Sequence, residues 1–532
     1  MPKKFNVTGV CLPGRHYMVN LDNRLAKIKA LVDDGMYFTI NKARQYGKTT
    51  TLIALEQYLR KDYHVVSLDF QMFGSEEFEN ENTFALSFAG IFLKQIKAES
   101  GNITDRLKDT LQQIEIIIEE ERKSFRLLKL FEKISNVCSR TDRPVVLMID
   151  ETDSASNNQV FIDFLSQLRA YYIRRETQPT FKSVILASVY DVKNLVRKLR
   201  PDEARQMNSP WNIAADFGVE MSLKKNGIAR MLEEYEADYH TGMDIAHMAE
   251  LLYNATSGYP FLVSRLCWLM DEEISAVRGS RSAAWTLDGF MDAYRILTSE
   301  KNTLFESIIG KVRDYPELNN ILQDKIFNGQ TIPYTATNPV IDLAAMFGII
   351  KNADGTAVPA NRIFAKVLSD YYLSLDELKS PDIYKASRQE KTQFTKGGKL
   401  NMKLVIQKFA EHFTDLYGHE NAKFIEKEGR KYFLLYLRPI INGTGHYSLE
   451  AVTTSENRTD LIVYYHEEFF IIETKIWRGQ KKHREGEEQL LGYMDDHHQD
   501  TGYLITFSFN KTKEPGMKEV HFGKKTLFEA TI

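Results

Sequence analysis

Four short apolar runs in the first 190 residues are separated by longer stretches that hold helical patterns. Residues 36–40, 64–70, 145–149 and 183–189 are rich in aliphatic, aromatic and β-branched side chains, the composition of buried strands. Continuous apolar runs are typical of parallel strands that are covered on both faces. The pattern therefore predicts an α/β domain with a parallel sheet in the amino-terminal part of the chain.

The pattern changes after this core, which we place at residues 1–220. Residues 221–300 hold amphipathic stretches that predict a helical lid. Residues 301–375 predict a winged-helix-like region, because helical runs are followed by an Asp-Gly turn between short strand-like pieces. A polar, charged stretch with Gly and Pro predicts a linker at 376–400, and residues 401–532 predict a second α/β domain.

A hairpin is predicted in this last domain, where the apolar runs 461–465 and 469–472 flank three polar residues. Asp460 then begins one strand and Glu473 ends the next, so the two carboxylates converge if the strands are antiparallel. Lys475 projects from the same face as Glu473 because it lies two residues further along. Two carboxylates suit Mg²⁺, and a lysine beside them can activate water or stabilise a phosphoryl transition state. Taken alone, such a motif also fits a solvated hairpin with charged ends.

A phosphate-binding loop is predicted after the first strand, where Gly47-Lys48-Thr49-Thr50 begins a helix. Backbone N–H groups at a helix N-terminus can cradle phosphates, Lys48 would reach the β- and γ-oxygens, and the Thr49 hydroxyl would bind Mg²⁺. The loop departs from the usual pattern, because Lys42 stands where a glycine is expected.

The third apolar run ends in Asp150-Glu151, which has the form of a Walker B element. Asp150 would hold the Mg²⁺ shell, and Glu151 would orient the water that attacks ATP. Ser188, at the end of the fourth run, falls where a polar sensor of the γ-phosphate is expected. Candidates for an arginine finger or a partner contact lie on the intervening helix: Arg169, Arg174 and Arg175.

The ordered set of motifs resembles a bacterial group of AAA-ATPase-like proteins whose loop has the form R-x-R-R-[FY]-G-K-[ST], and which commonly end in a nuclease domain. Residues 43–49 are similar, with Gln45 replacing one arginine. The resemblance implies a P-loop NTPase sheet, to which the pattern adds the helical lid and the winged-helix-like region predicted above. It also implies an adenine contact by Tyr17 or Val19 and a second sensor at Arg265. The predicted nucleotide-binding residues are Arg44, Gly47, Lys48, Thr49, Thr50, Asp150 and Ser188.

The hairpin and the helix after it resemble the PD-(D/E)XK nuclease superfamily, although Thr459 stands where the motif name has Pro. The resemblance implies a restriction-endonuclease-like α/β domain in which Asp460 and Glu473 hold Mg²⁺ and Lys475 helps to activate water. Gln489 would complete this catalytic set, with Tyr493 lining the site. Further acidic candidates are Glu411 on a preceding helix and Glu450 at the end of the preceding strand.

Length and composition fit a multidomain enzyme. A chain of 532 residues is too long for one core, and 43% hydrophobic with 27% charged residues is ordinary for globular proteins. No signal peptide or membrane span is predicted, so we expect a cytoplasmic protein.

The net charge of −3 does not favour strong non-specific DNA binding, although the basic run 475–484 could contact a phosphate backbone. Three cysteines show no metal-binding or disulfide spacing: Cys11, Cys138 and Cys267.

These features predict an ATP-binding, nucleotide-regulated, Mg²⁺-dependent nuclease that acts on nucleic acid, with DNA the expected substrate. ATP hydrolysis is expected to be slow, and assembly into a homo-oligomer is open. One alternative is an ATP-dependent signalling switch whose C-terminal domain binds nucleic acid or protein without cleavage. Another keeps the nuclease and makes the phosphate loop vestigial, given Lys42.

Overall fold

The chain folds into two compact units. The N-terminal unit comprises Met1–Ala249, Gly258–Trp268 and Met346–Gly348, and the C-terminal unit comprises Glu250–Ser257, Leu269–Ala345 and Ile349–Ile532. The first unit extends past residue 220, where we placed the end of the core; the domain boundaries stay predictions. The computed structural model describes residues 3–99, 105–155, 158–189, 211–328, 332–379, 387, 393–417, 422–441, 445–452, 458–466, 468–477, 479–508 and 516–532.

A four-stranded parallel sheet forms the centre of the N-terminal unit, with the strand order β1-β4-β3-β2. The four predicted strands are confirmed, with ends that differ from the prediction by one residue. They are β1 (Tyr37–Asn41), β2 (His64–Asp69), β3 (Val145–Asp150) and β4 (Ser183–Ser188).

Both faces of this sheet are buried. In β3, Leu147 belongs to one apolar cluster, whereas its neighbours Val146 and Met148 belong to another. Because side chains alternate between the faces of a strand, both faces must be apolar, which explains the continuous apolar runs. The α-helices in the described part of this unit include α1 (Asp22–Asp33), α2 (Lys48–Leu59), α3 (Glu81–Glu99), α4 (Asp105–Glu120), α5 (Leu127–Cys138), α6 (Gln159–Ile173) and α7 (Lys225–Tyr239). Two more follow: α8 (Ile245–Thr256), whose residues 250–256 belong to the C-terminal unit, and α9 (Pro260–Trp268).

The C-terminal unit begins with helices and a small hairpin. Its helices before the hairpin are α10 (Ser275–Arg278), α11 (Arg281–Ala284), α12 (Leu287–Ser299), α13 (Thr303–Asp314), α14 (Pro316–Asn328) and α15 (Pro339–Met346), the last residue of which belongs to the N-terminal unit. The hairpin pairs β5 (Ile350–Ala353) with β6 (Thr356–Pro359), and its turn places Asp354 and Gly355 at φ 48° and 81°. This is the predicted Asp-Gly turn.

The predicted linker region contains regular structure. Helix α16 (Arg362–Lys379) extends into it, and the short strands β7 (Thr395–Lys396) and β8 (Lys399–Leu400) pair at its far end. Between α16 and β7, residues 387, 393 and 394 are described, and the others lie outside the described residues. In the part of the chain that the structure describes, no helix is long and apolar enough to cross a membrane.

A six-stranded mixed sheet completes this unit, with the order β13-β14-β12-β11-β10-β9. The strands β11, β12 and β14 are parallel to one another, and the outer pairs are antiparallel. Helix α19 packs on β11 and β12. The elements are α17 (Met402–Tyr417), α18 (Ala422–Ile441), β9 (Gly445–Val452), β10 (Arg458–Tyr465), β11 (Glu468–Ile476), α19 (Gln480–Asp496), β12 (Thr501–Phe507), β13 (Gly516–Phe522) and β14 (Lys525–Thr531).

Phe164 on α6 tests how far the N-terminal unit depends on its aromatic core. The side chain is fully buried, and its ring lies 5.1–5.5 Å from the rings of Phe84, Phe88 and Phe131. We expect Phe164→Ala to lower the free energy of unfolding by about 3–5 kcal/mol, because it leaves a cavity. Urea unfolding measures the change. Ile173→Ala on the same helix, where the side chain is 64% exposed, should change it by less than about 0.5 kcal/mol; equal losses would contradict the assignment of Phe164 to the core.

Candidate functional site

The loop between β1 and α2 is organised around the Lys48 ammonium. Lys48 is only 6% exposed, and its Nζ donates hydrogen bonds to the carbonyl oxygens of Lys42 at 2.9 Å and Ala43 at 3.1 Å. Gly47, at φ 80°, adopts a left-handed conformation that glycine reaches without strain. Burial lowers the pKa of Lys48, and the Glu151 carboxylate opposes this shift. The loop therefore wraps around a cation at the N-terminus of α2, an arrangement that suits a phosphate.

Thr49 and Asp150 are joined directly, as expected of residues that share a metal ion. The Thr49 hydroxyl donates to Asp150 Oδ2 at 2.7 Å, and the Glu151 N–H donates to Asp150 Oδ1 at 2.9 Å. Burial raises the pKa values of both Asp150 and Glu151. A hydroxyl and a carboxylate at this separation fit the coordination preferences of Mg²⁺. The residues present therefore fit ATP with Mg²⁺.

Ser188 lies beside the loop. It pairs with Asn41 in the parallel register, and its carbonyl oxygen accepts the Lys42 N–H at 3.2 Å. Asn41 was missed in the sequence: its Oδ1 is buried and accepts no hydrogen bond from the described residues. A polar side chain ending an apolar strand was the available signal. Asn41 is therefore a further candidate for contact with the nucleotide or its water.

The other predicted nucleotide residues contact neighbouring segments. The Thr50 hydroxyl accepts the Cys11 N–H at 3.2 Å. Arg44 is exposed, and its carbonyl oxygen accepts a hydrogen bond from the hydroxyl of Tyr259. The Tyr46 ring also contacts Tyr259, with centroids 4.7 Å apart. These contacts fix the outer side of the loop.

Three candidates from the sequence contact other residues of the N-terminal unit: Tyr17 for an adenine contact, Arg265 for a second sensor, and Arg175 for an arginine finger or a partner contact. Tyr17 is fully buried, and its hydroxyl donates to Asp238 at 2.6 Å, so it belongs to the core. The Arg265 guanidinium lies 4.4 Å from the Trp268 ring centroid. Arg175 donates to the carbonyl oxygen of Gly35 at 2.7 Å, which places it before β1, at the end of that strand opposite the loop.

A second constellation lies in the C-terminal unit, on β11 and α19. Glu473 is 1% exposed, and its Oε1 lies 2.6 Å from Lys475 Nζ. Lys475 also donates to Gln489 Oε1 at 3.1 Å, and Gln489 Nε2 donates to the Tyr493 hydroxyl at 2.6 Å. The structure therefore joins four predicted residues in one chain of contacts.

The register of the sheet places Asp460 next to this constellation. Leu461 pairs with Ile472 on β11 and with Leu449 on β9. Asp460, the preceding residue of β10, thus lies in the strand positions that adjoin Glu473 on one side and Glu450 on the other. The predicted hairpin and its register are confirmed.

Two further residues shape the surroundings of Lys475. A Cβ at Gly486 on α19 would lie 3.4 Å from Lys475 Cγ, so the lysine stem lies against the helix at this position. Thr506 pairs with Lys475 in the parallel register of β12. Its Oγ1 is buried and has no hydrogen-bond partner among the described residues. No motif marks Thr506, and only the sheet order brings it here.

The hydrogen bonds of the Glu411 side chain lie within its own helix, and Lys475 is a member of the basic run 475–484 that belongs to this constellation. The Glu411 carboxylate accepts hydrogen bonds from Lys408 and Gln407 on its own helix, and the Lys408 bond lowers its pKa. Within the run 475–484, Lys481 and Arg484 are exposed on α19, and Arg478 lies outside the described residues.

A family model described as an AAA-like domain matches residues 12–289, just over half of the 532-residue chain. The chain belongs to the AAA-like domain family. This match, together with the parallel sheet and its phosphate loop, confirms the predicted P-loop ATPase-like core and indicates nucleotide binding.

The chain is also similar to solved structures at low identity. A Walker-type ATPase of Pyrococcus abyssi is 12% identical, with a TM-score of 0.44, over 68% of this chain and 99% of its own. The ORC2 protein of Aeropyrum pernix is 12% identical, with a TM-score of 0.36, over 70% and 98%. The RuvB Holliday junction branch migration motor of Thermotoga maritima is 12% identical, with a TM-score of 0.30, over 64% and 92%. No curated protein matches the chain.

Lys48 provides the test of nucleotide binding. We expect Lys48→Met to weaken Mg²⁺-ATP binding by about tenfold or more, because charge-assisted hydrogen bonds to phosphate are lost. Titration with a fluorescent ATP analogue measures the affinity, and a thermal melt shows whether the variant is folded. The matched control is Lys61→Met, which removes an exposed lysine just beyond α2. Equal affinity in a folded Lys48→Met variant would support a vestigial loop.

Proposed function

We propose that this protein is an ATP-binding, nucleotide-regulated nuclease whose C-terminal unit hydrolyses phosphodiester bonds of nucleic acid with Mg²⁺. The observation that supports the nuclease most is the buried Glu473 carboxylate, 2.6 Å from Lys475, in a strand position adjoining Asp460. Burying a carboxylate is costly. Two carboxylates can hold a divalent metal ion and a lysine beside them can orient the attacking water, so this set of residues suits metal-dependent phosphodiester hydrolysis.

Each residue has a separate role in this proposal. Asp460 and Glu473 would hold the metal ion, which when bound supplies positive charge to the scissile phosphate. Lys475 orients the attacking water and offsets negative charge as the water adds to phosphorus. Gln489 accepts one Lys475 proton in a hydrogen bond, and Tyr493 fixes the Gln489 amide so that its oxygen faces the lysine.

The nucleotide site would act as a regulator. ATP would be held by Lys48, Thr49 and Asp150, with Glu151 positioning water for slow hydrolysis. Asp150 and Thr49 already contact each other at 2.7 Å, so a bound nucleotide finds the metal ligands arranged in advance. Self-association of the AAA-like domain is part of this proposal.

Nucleic acid is the proposed substrate, with DNA the expected class. Exposed Lys481 and Arg484 on α19 supply positive charge on the helix that carries Gln489. Because the whole chain has a net charge of −3, we expect weak, salt-sensitive binding.

Cleavage assays on supercoiled plasmid, single-stranded DNA and RNA, each with Mg²⁺ and with or without ATP, test the proposal. We expect Glu473→Gln and Lys475→Ala to reduce cleavage by about a hundredfold or more, because each removes a group that acts on the reacting phosphate. The control is Glu411→Gln, which neutralises an exposed carboxylate that accepts hydrogen bonds from Gln407 and Lys408 on its own helix. Cleavage by wild type that persists in both variants would reject the site, and no cleavage with intact ATP binding would favour the signalling switch.

Tyr493→Phe tests the positioning role of the helix. Removing one hydroxyl leaves the Gln489 amide unfixed, so we expect kcat to fall about three- to tenfold with little change in KM, the loss of one neutral hydrogen bond. Gln489→Glu keeps an acceptor for Lys475, whereas Gln489→Leu removes it, so the glutamate variant should retain more activity than the leucine variant. An equal loss in these two glutamine variants would argue against an acceptor role.

A further inference from the structure

A second group of metal-ligating side chains lies in the C-terminal unit, apart from Asp460 and Glu473. His483 and Glu487 on α19 and Glu529 on β14 each offer one ligand atom, and these atoms lie within 4.8 Å of one another. His483 Nε2 lies 3.2 Å from Glu529 Oε2 and 3.6 Å from Glu487 Oε1.

The secondary structure explains why these three side chains meet. His483 and Glu487 are four residues apart, so they lie on one face of α19. Glu529 pairs with Leu504 on β12, which pairs with Glu473 on β11. Glu529 is therefore on the same face of the sheet as Glu473 but two strands away, about 10 Å at the usual strand spacing. The cluster is distinct from the proposed nuclease site.

Glu529 supplies the strongest indication of a ligand. Its side chain is 2% exposed, and its Oε1 is buried and accepts no hydrogen bond from any described residue. A buried carboxylate oxygen without a donor is costly. Its second oxygen is engaged by His483 and by Lys518 Nζ at 2.8 Å. A cation held by this side chain would offset the cost and would also reduce the repulsion between the Glu529 and Glu487 carboxylates.

We propose that His483, Glu487 and Glu529 bind a divalent transition-metal ion, with Zn²⁺ the expected occupant. One imidazole nitrogen and two carboxylates are ligands that Zn²⁺ accepts, whereas Mg²⁺ prefers oxygen alone. Three protein ligands leave the fourth tetrahedral position to water. Because its ligands come from α19 and β14, the ion would fasten the first turns of this helix to the sheet.

Lys518 is the competitor for this site. Its ammonium already offsets the charge of Glu529, but the side chain is 61% exposed on β13, at the edge of the sheet. It can therefore withdraw into water when a metal ion enters. If the ammonium only competes with the metal, its removal should tighten binding.

The test is Co²⁺ and Zn²⁺ binding to the full chain after treatment with a chelator. We expect one equivalent of Co²⁺ to give visible absorption that Zn²⁺ abolishes, and Zn²⁺ to raise the melting temperature. His483→Ala and Glu529→Gln should each weaken Zn²⁺ binding at least about tenfold, the usual effect of losing one ligand or its orienting partner. The matched control is His521→Ala, an exposed histidine on β13, which should bind as wild type.

Two further variants separate this site from its alternatives. Glu473→Gln should keep Zn²⁺ binding, which makes the result independent of whether the chain is a nuclease. Lys518→Met should bind Zn²⁺ more tightly than wild type. The proposal is overturned by the absence of stoichiometric Zn²⁺ binding, which would mean that Glu487 and Glu529 share a proton instead. It is also overturned if folded His483→Ala binds as tightly as wild type, or if Lys518→Met loses stability without gaining affinity.

Discussion

Both candidate sites are built on a buried charge that a partner of opposite charge or a backbone dipole compensates. The Lys48 ammonium is held by two loop carbonyl oxygens, and the Glu473 carboxylate is held by Lys475. Removing a charge from water costs several kcal/mol unless it is compensated in this way. Each compensating group must therefore be fixed in place, and a strand end followed by a helix provides that rigidity in both units.

The unusual loop sequence becomes understandable from these contacts. Lys42 replaces a glycine of the common motif, but Lys48 uses only the carbonyl oxygen of that residue. A backbone oxygen is supplied by any amino acid, so the substitution leaves the contact intact. The position that needs a left-handed backbone is Gly47, and there the glycine is present. The departure from the motif is thus compatible with nucleotide binding.

Local patterns predicted the strands and the hairpin register, because apolar runs and turn residues act over a few neighbours. The set of Glu473, Lys475, Gln489 and Tyr493 was also accessible, because it spans one strand and the helix directly after it. Thr506 and Glu529 were missed, and the reason is physical. Their significance depends on which strand lies beside which, and sheet order is set by contacts between residues far apart in the chain.

The contact between Gly486 and Lys475 offers a way to change the position of the Lys475 side chain without removing its charge. Alanine would fit at position 486, because its Cβ would lie at ordinary van der Waals distance from the lysine stem. A branched or aromatic side chain would not fit, and it would push the ammonium away from Glu473 while leaving every ionisable group of the constellation in the chain. Size at this one helical position therefore offers a way to vary the distance between the Lys475 and Glu473 charges without removing either of them.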